Sequence, residues 1–187
     1  GYIYRSIKNI NANSTEISEK FQNDNCENIE INGLNAYVVI DIDDSLLTPK
    51  IIMETEFSNS YTITVDETSK TTIINIKDSK TYDLIGILKA PTTVLKITLP
   101  KNKIIKNLNL NVKYGKVITD GIDNIENLKI DTITANISLN NSKFTNLDLS
   151  AETNDIVVKD NSIVDSNINS QSGSVTCVDT SFEQLIH

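Results

Sequence analysis

The chain has 187 residues and a formal net charge of −8, and 39% of its residues are hydrophobic. This length can form one well-packed domain or two small ones, and the isoleucine-rich composition is not that of a disordered protein. The acidic charge and the single arginine, Arg5, argue against a nucleic-acid partner, because binding a polyanion requires clustered cationic side chains. The same shortage of cations disfavours direct attachment to an anionic lipid surface.

Residues 1–28 are interpreted as a lead-in to the domain. The first residues place tyrosines before Arg5 and Lys8, and this aromatic-then-basic order is typical of the flank of a membrane segment. We therefore expect a membrane anchor to precede Gly1 in the full-length gene product and to have been removed here. Within the lead-in, the pattern over 14–22 is compatible with a short helical turn or with an irregular polar segment.

Residues 29–187 are expected to form a single all-β domain, because Ile, Val and Thr favour strands and no Gly-, Ser- or Pro-rich linker interrupts them. The domain starts with Ile29 and Ile31 before a corner and with Val38 and Ile40 after it. Alternating runs bounded by turn residues then predict strands within 49–57, 60–68, 71–77 and 93–100. The segment DETSK at 66–70 predicts a hairpin loop between the second and third of these runs. This half is therefore expected to be a sheet or sandwich continuous with the part that follows.

From about residue 104 the apolar positions repeat. Strict alternation stops at a turn in each unit, and the apolar residues after the turn are separated by 20, 19 and 19 positions: Val117, Ile137, Ile156 and Val175. A second apolar position keeps the same spacing: Ile105, Ile125, Phe144, Ile163 and Phe182. Units of about 19 residues with a period of two are too short for a strand plus a helix, and one unit cannot bury its apolar face alone. The repeat predicts a parallel β-solenoid of 19–20 residues per coil, with like residues stacked in ladders.

The turn of each unit predicts a strained corner. Gly115 and Gly173 stand at this position in two units and are expected to have positive φ, which glycine adopts without steric cost. Asn154 holds the position in a third unit, and in the fourth, where alanine stands, the neighbouring Asn136 is expected to take the strained conformation. A phosphate-binding loop is excluded at Gly115, because the first glycine and the hydroxyl residue of that motif are missing.

Two cysteines, Cys26 and Cys177, do not make a disulfide framework, although a single bond between them remains open. Cys177 occupies an inward position of the repeat, so we expect a buried free thiol that packs as a small hydrophobic group. Zinc requires clustered His or Cys ligands, which two distant cysteines do not supply. No metal and no other cofactor is predicted.

The sequence contains few of the residue patterns that indicate catalysis. The single histidine, His187, is the last residue, so no Ser-His-Asp or Cys-His arrangement is expected. The alternative is a polysaccharide-active enzyme that uses paired surface aspartates as acid and base. The candidates are Asp120, Asp123, Asp131, Asp148, Asp155, Asp160 and Asp165. Since aspartate is commonly a turn or surface residue, and no arginine is present after residue 104 to bind an acidic substrate, no catalytic residue is assigned.

The sequence resembles the bacterial putative-adhesin family with a DUF4097-type domain. The resemblance rests on the apolar strand and corner NIEINGLNAYVVIDI, on the strand end ITLP, and on the corners YGKV, TANI, TNDI and SGSV in register. It covers roughly residues 28–187 and implies an extracytoplasmic or membrane-tethered β-solenoid module. The family has no established catalytic residues, so the resemblance implies none here.

These observations predict a non-catalytic adhesin-like module of the cell envelope that binds or senses a partner. A flat face rich in Asn, Thr and Ser suits weak multivalent contact with a protein, a glycan or a wall polymer better than a small-molecule pocket. Phe182 and Leu185 predict the opening of one more unit, so an uncapped end could also associate with a second copy.

Overall fold

A computed structural model describes residues 3–8, 14–17, 25–55, 61–78, 93–153 and 155–185. These residues form fourteen β-strands in one open sheet and no α-helix. The strands are β1 (Ile3–Lys8), β2 (Ser14–Glu16), β3 (Asn28–Asp43), β4 (Lys50–Glu54), β5 (Tyr61–Glu67), β6 (Thr71–Asp78), β7 (Val94–Pro100), β8 (Ile105–Asp120), β9 (Ile125–Asn140), β10 (Lys143–Ala151), β11 (Ile156–Lys159), β12 (Ser162–Ser170), β13 (Val175–Val178) and β14 (Ser181–Leu185). The predicted all-β class is confirmed.

The long strands β3, β8 and β9 divide the sheet into two rows, because their two halves pair with different neighbours. The first row has the order β1-β5-β6-β3-β8-β9-β10-β12-β14 and contains the first halves of the long strands. The second row has the order β2-β4-β7-β3-β8-β9-β11-β13 and contains their second halves. Each of the three long strands therefore passes from one row to the other within 16 residues.

The inner faces of both rows contribute to one hydrophobic core. In β9 from residue 128 on, the buried positions are Leu128, Ile130 and Thr132 before the corner, and Ala135, Ile137 and Leu139 from the corner onward. The buried set changes from even to odd numbers, so the strand turns its inner face at the corner and keeps apolar side chains inside on both sides. Burying each Ile or Leu stabilises the fold by about 1.5–3 kcal/mol.

Contact between the rows is visible in a buried chain of hydroxyl groups in the N-terminal half. Tyr61 at the start of β5, in the first row, shares a hydrogen bond of 2.7 Å with the Thr93 hydroxyl next to β7, in the second row. Thr93 Oγ1 in turn donates to Thr55 Oγ1 at 2.8 Å. These three residues are at most 5% exposed, and their mutual hydrogen bonds offset the cost of burying the hydroxyls.

The predicted ladders are confirmed as parallel strand pairs. Val117 faces Ile137, Ile137 faces Ile156, and Ile156 faces Val175. The second series also holds, with pairs such as Ile105 opposite Ile125 and Ile163 opposite Phe182. The strand β3 extends this register, because Ile29 of β3 faces Leu108 of β8 and Val38 of β3 faces Val117 of β8. The units are less divided than expected, since β8 and β9 each run through the corner as one strand.

The predicted hairpin is also present, because β5 and β6 pair antiparallel around residues 68–70. Residues 14–16 form β2 against β4, so the helical turn considered for 14–22 does not form over these positions. The remainder of that segment up to residue 22, apart from Ile17, lies outside the described residues.

Two corner predictions are confirmed and one is wrong. Gly115 has φ 133° and Gly173 has φ 151°, both in the positive region expected. A Cβ on Gly115 would lie 2.0 Å from the Ala36 carbonyl oxygen, so β3 and β8 approach each other too closely for any other residue. Asn136 does not adopt positive φ, and its side-chain oxygen instead accepts a 3.0 Å hydrogen bond from the Asp155 amide. Asn154 lies outside the described residues.

The predicted burial of Cys177 is wrong, whereas its predicted free thiol is confirmed. Cys177 lies at the inward ladder position, opposite Val158, yet it is exposed, because β13 pairs with β11 on one side and with no described strand on the other. Cys26 is buried, and its thiol donates to the Asn28 carbonyl oxygen at 3.2 Å and to Thr72 Oγ1 at 3.3 Å. Both cysteines are free, so the disulfide left open by the sequence does not form.

Candidate functional site

The outer side of the first row is a continuous polar surface, here called the polar face. It is defined by three columns of outward residues on β3, β8, β9, β10 and β12: Asn28, Asn107, Asn127, Asn146 and Asp165; Glu30, Asn109, Lys129, Asp148 and Asn167; Asn32, Asn111, Asp131, Ser150 and Asn169. Neighbouring strands in such a sheet are about 4.8 Å apart, and successive outward residues along one strand are about 6.6 Å apart. The fold thus arranges polar groups on a regular grid.

The first column is an asparagine ladder. Asn107 Nδ2 donates to Asn28 Oδ1 at 2.7 Å, Asn127 Nδ2 donates to Asn107 Oδ1 at 3.0 Å, and Asn146 Nδ2 donates to Asn127 Oδ1. Each amide therefore donates in the same direction along the stack. Because every rung fixes the next, the side chains of this column are ordered before any partner binds.

The third column begins with a similar network. Asn111 Nδ2 donates to Asn32 Oδ1, and Asn32 Nδ2 donates to Asn75 Oδ1 at 2.9 Å and to Glu30 Oε2 at 3.2 Å. This network extends the polar face onto β6, where Asn75 lies. On β3 and β8, the middle column therefore lies between two columns of hydrogen-bonded asparagines.

On the polar face, Lys129 and Asp148 of the middle column and Asp131 of the third column are charged residues with exposed or partly exposed side chains. Lys129 faces Asp148 across the β9–β10 pair, and its Nζ lies 3.9 Å from Asp131 Oδ2 on the same strand. The side chains of Lys129 and Asp131 are 50% and 45% exposed, so this ion pair adds little to stability. These charges are available to a partner rather than used by the core.

The asparagine ladder ends at Asp165, which faces Asn146. The Oδ1 atom of Asp165 is buried and has no hydrogen-bond partner among the described residues. The direction of the ladder places a donor at this position, and an ionised carboxylate has none. The last rung is therefore chemically mismatched to the rungs before it.

A second surface lies where each unit returns from the second row to the first. Four residues with positive φ occupy this turn in successive units: Gly121 at 68°, Asn141 at 47°, Asp160 at 55° and Asp179 at 46°. They line a groove of about 480 Å³ together with Ile122, Asp123, Ser142, Lys143, Asn161 and Ser162. This column was not predicted from the sequence, although Gly, Asn, Asp and Asp at spacings of 20, 19 and 19 favour a recurring left-handed turn.

The residues after these turns hold the units together through side chains. Asn161 Nδ2 donates to the Leu139 carbonyl at 3.0 Å and to the Lys159 carbonyl at 2.9 Å, while its Oδ1 accepts from the Ser142 amide at 2.9 Å. Ser142 Oγ in turn accepts from the Ile122 amide at 3.1 Å. Because the polar groups of Ser142 and Asn161 form hydrogen bonds within the turns, these two residues are structural. A ligand in the groove would instead contact the exposed side chains of Asp123, Asp160 and Asp179.

The structure separates most of the candidate aspartates. Asp123 and Asp160 both line the groove, so these two are brought to one surface. Asp131, Asp148 and Asp165 lie on the polar face in three different columns. The remaining two are Asp120, exposed at the end of β8, and Asp155, whose Oδ1 accepts from the Ser174 amide at 2.8 Å and from Ser174 Oγ at 3.1 Å. Asp155 is thus a corner residue that joins two units.

Within the described ranges, no group of three or more His, Cys, Asp or Glu side chains is placed to hold a metal ion. His187 is outside those ranges. The described residues form no helix that is long and apolar enough to cross a membrane.

The fold is similar to that of a solved protein. A putative cell adhesion protein from Clostridium sporogenes matches with a TM-score of 0.59 and 12% sequence identity, over 97% of this chain and 99% of that one. Putative adhesins from Bacteroides fragilis and Parabacteroides merdae align over 100% of this chain and over 97% and 96% of their own, at 12% and 10% identity, with TM-scores of 0.34 and 0.27. No family model matches the chain, and no curated protein matches it. The chain therefore shares the fold of the Clostridium sporogenes protein.

Proposed function

We propose that this chain is a non-catalytic binding module of the adhesin type, displayed outside the cytoplasm at the cell surface or on a membrane tether. The observation that carries the proposal is the polar face, where hydrogen-bonded asparagine amides lie beside the exposed charges of Lys129 and Asp131. Such a surface provides many ordered donors and acceptors at fixed spacing. It suits an extended partner that makes many weak contacts, such as a glycan, a wall polymer or a protein surface.

Pre-ordering of the amides supports this function energetically. A flexible polar side chain loses about 0.5–1.5 kcal/mol of conformational entropy when a partner immobilises it. Asn107 and Asn127 are already fixed by their neighbours in the ladder, so contact with them avoids much of this cost. A broad surface of this kind can hold a partner without a deep pocket.

The architecture proposed for this role is a parallel β-solenoid with 19–20 residues per coil. The parallel ladders and the recurring left-handed turns at Gly121, Asn141, Asp160 and Asp179 support it. We also propose membership of the putative-adhesin family with a DUF4097-type domain, and a single domain over 29–187 to which β1 and β2 of the lead-in over 1–28 add strands. The shared fold with the Clostridium sporogenes protein, which is described as a putative cell adhesion protein, supports the adhesin assignment.

Co-sedimentation with insoluble peptidoglycan and cellulose, and surface binding to immobilised dextran and polygalacturonate, test this proposal. We expect at least one polymer to bind, and the substitution Lys129→Ala on the polar face to weaken that binding several-fold. Lys159→Ala is the matched control, because Lys159 is also an exposed lysine but lies at the end of β11 in the second row. The control variant is expected to bind like the original chain.

The same incubations test the enzyme alternative. Chain cleavage of any of these polymers, abolished by Asp123→Asn or Asp160→Asn in the groove, would overturn the non-catalytic proposal. Equal loss of binding in Lys129→Ala and Lys159→Ala would show that general charge rather than the polar face holds the polymer, and would also contradict it.

A further inference from the structure

The described sheet has two free ends. At one end β1 pairs only with β5, and β2 pairs only with β4. At the other end β14 pairs only with β12, and β13 pairs only with β11. Among the described residues, each row therefore has at each end a strand with a described strand neighbour on one side only, here called a free strand. The outer edge of such a strand presents backbone N–H and C=O groups to which another strand can bond.

The free strands at the two ends run in the same direction. β1 is antiparallel to β5, β5 is antiparallel to β6, and β6 is parallel to β3, so β1 has the direction of β3 and of β14. In the second row β2 is antiparallel to β4, and β4 is antiparallel to β7, which is parallel to β3. Thus β2 has the direction of β13. A copy translated along the stack would continue both rows as parallel pairs.

The free strands also match in length. β1 has six residues and β14 has five, while β2 has three and β13 has four. The longer free strand belongs to the first row at both ends, and the shorter one belongs to the second row at both ends. End-to-end contact between two copies would therefore leave few unpaired backbone groups in either row.

Charge and apolar exposure favour contact between opposite ends. Residues 175–185 contain Asp179 and Glu183 and no Lys or Arg, whereas residues 3–8 contain Arg5 and Lys8 and no acidic residue. The complementarity belongs to the first row, since β2 itself ends in a glutamate. On β13 the inward residue Val175 is 43% exposed, although the residues facing it in earlier units are fully buried.

We infer that a second copy of this chain docks head to tail, with β1 and β2 of one copy adding in parallel to β14 and β13 of the next. This inference does not depend on the polymer-binding function proposed above. The contact covers Val175 and pairs the basic strand β1 with the acidic strand β14. Because the two surfaces differ, the contact is heterologous and repeats from copy to copy into open oligomers rather than closed dimers.

Sedimentation velocity of the full 187-residue chain over a range of concentrations tests the inference. We expect mass-average size to rise beyond the dimer with concentration and to fall at high salt, because exposed charge pairs are screened. Val175→Lys places a charge at the inward position of the free strand and should block one end. Lys8→Glu makes β1 less basic and should weaken the other end.

Mixing the two variants gives the sharpest result. Each variant alone should be mainly monomeric, and a 1:1 mixture should form a heterodimer and nothing larger, because each partner has one competent end. Ile133→Lys and Lys129→Glu are the matched controls, since Ile133 is 41% exposed and neither residue lies on a free strand. Both controls should assemble like the original chain.

Two results would overturn the inference. The first is a monomer at every concentration tested. The second is a dimer limit that survives Lys8→Glu but is lost in Val175→Lys, which would mean that two like ends pair with each other. Circular dichroism checks that each variant is folded, and if Val175→Lys fails that check, Thr176→Lys on the same exposed strand replaces it.

Discussion

The inner units and the last unit of the ladder hold the same kinds of residue in very different surroundings. Ile137 and Ile156 are fully buried, whereas Val175, which faces Ile156 in the same column, is 43% exposed. The inner residues have a strand on both sides, and β13 has a described neighbour on one side only. The repeat therefore determines which residues stack, while burial depends on whether another strand follows.

A substitution at the corner of an inner unit should have the largest effect on the free energy of unfolding. Gly115→Ala is expected to destabilise the fold by about 4 kcal/mol or more, because its Cβ would lie 2.0 Å from the Ala36 carbonyl oxygen at a φ of 133°. Gly121→Ala is the matched control, with φ 68° and no atom within 4 Å of the added Cβ, and should cost about 1–2 kcal/mol. Urea unfolding of both variants measures the difference, and equal costs would contradict the close approach of β3 and β8.

Truncation along one ladder tests the comparison of inner and last units directly. Ile137→Ala should cost about 3 kcal/mol, because it leaves a cavity between two strands in the core. Val175→Ala should cost less than about 1 kcal/mol, because part of that side chain is already in water. Chemical denaturation gives both values. If the Val175 substitution costs as much as the Ile137 substitution, the last unit is covered in solution, as the end-to-end contact would require at high protein concentration.

The last rung of the asparagine ladder offers a smaller, stabilising change. Asp165→Asn supplies a side-chain N–H at the position where the direction of the ladder places a donor to Asn146, and should raise the free energy of unfolding by about 1 kcal/mol. Asp148→Asn, in the middle column opposite Lys129, removes the same charge without completing a ladder and should not stabilise. Thermal unfolding of the two variants side by side distinguishes ladder completion from a general charge effect.

Much of this fold was readable from the sequence, because stacking repeats one local pattern. The spacing that led from Val117 to Val175 predicted the partner of each residue, and the positive φ of Gly115 followed from the corner. The left-handed return turns at Asn141 and Asp160 were not predicted. Asn and Asp at this spacing favour positive φ, but the same residues also suit ordinary surface turns.

Other features could not be predicted from the local pattern of the sequence. Cys177 is exposed because no described strand pairs with the outer side of β13. No residue near Cys177 in the sequence indicates this. The pairing of β3 with β6, β7 and β8 joins residues far apart in sequence, and alternation alone does not choose among such partners. The asparagine ladder was partly foreseeable from Asn107 and Asn127, but its hydrogen bonds require the register of the strands.

The two cysteines should report the same contrast as a difference in reactivity. Cys177 is expected to react with a thiol reagent in the folded protein, whereas buried Cys26 should react only on unfolding. Partial desolvation raises the pKa of Cys177, and burial raises the pKa of Cys26, so both hold less thiolate at pH 8 than a free cysteine. Mass spectrometry after labelling at pH 8 and pH 9 measures this, with faster labelling of Cys177 expected at the higher pH. Fast labelling of Cys26 alone would contradict the described burial.

The stacking of the second row can be measured as a single distance. Lys96 on β7 and Thr176 on β13 are exposed and lie in one outward column, with Val39, Ile118, Ser138 and Val157 on the strands between them. Five steps of about 4.8 Å place the two backbones about 24 Å apart. Spin labels on Lys96→Cys and Thr176→Cys, in a Cys177→Ser background, should give a narrow distance distribution by pulsed electron paramagnetic resonance, centred near that value once the label linkers are included. A broad distribution, or one centred beyond about 40 Å, would contradict the parallel stack.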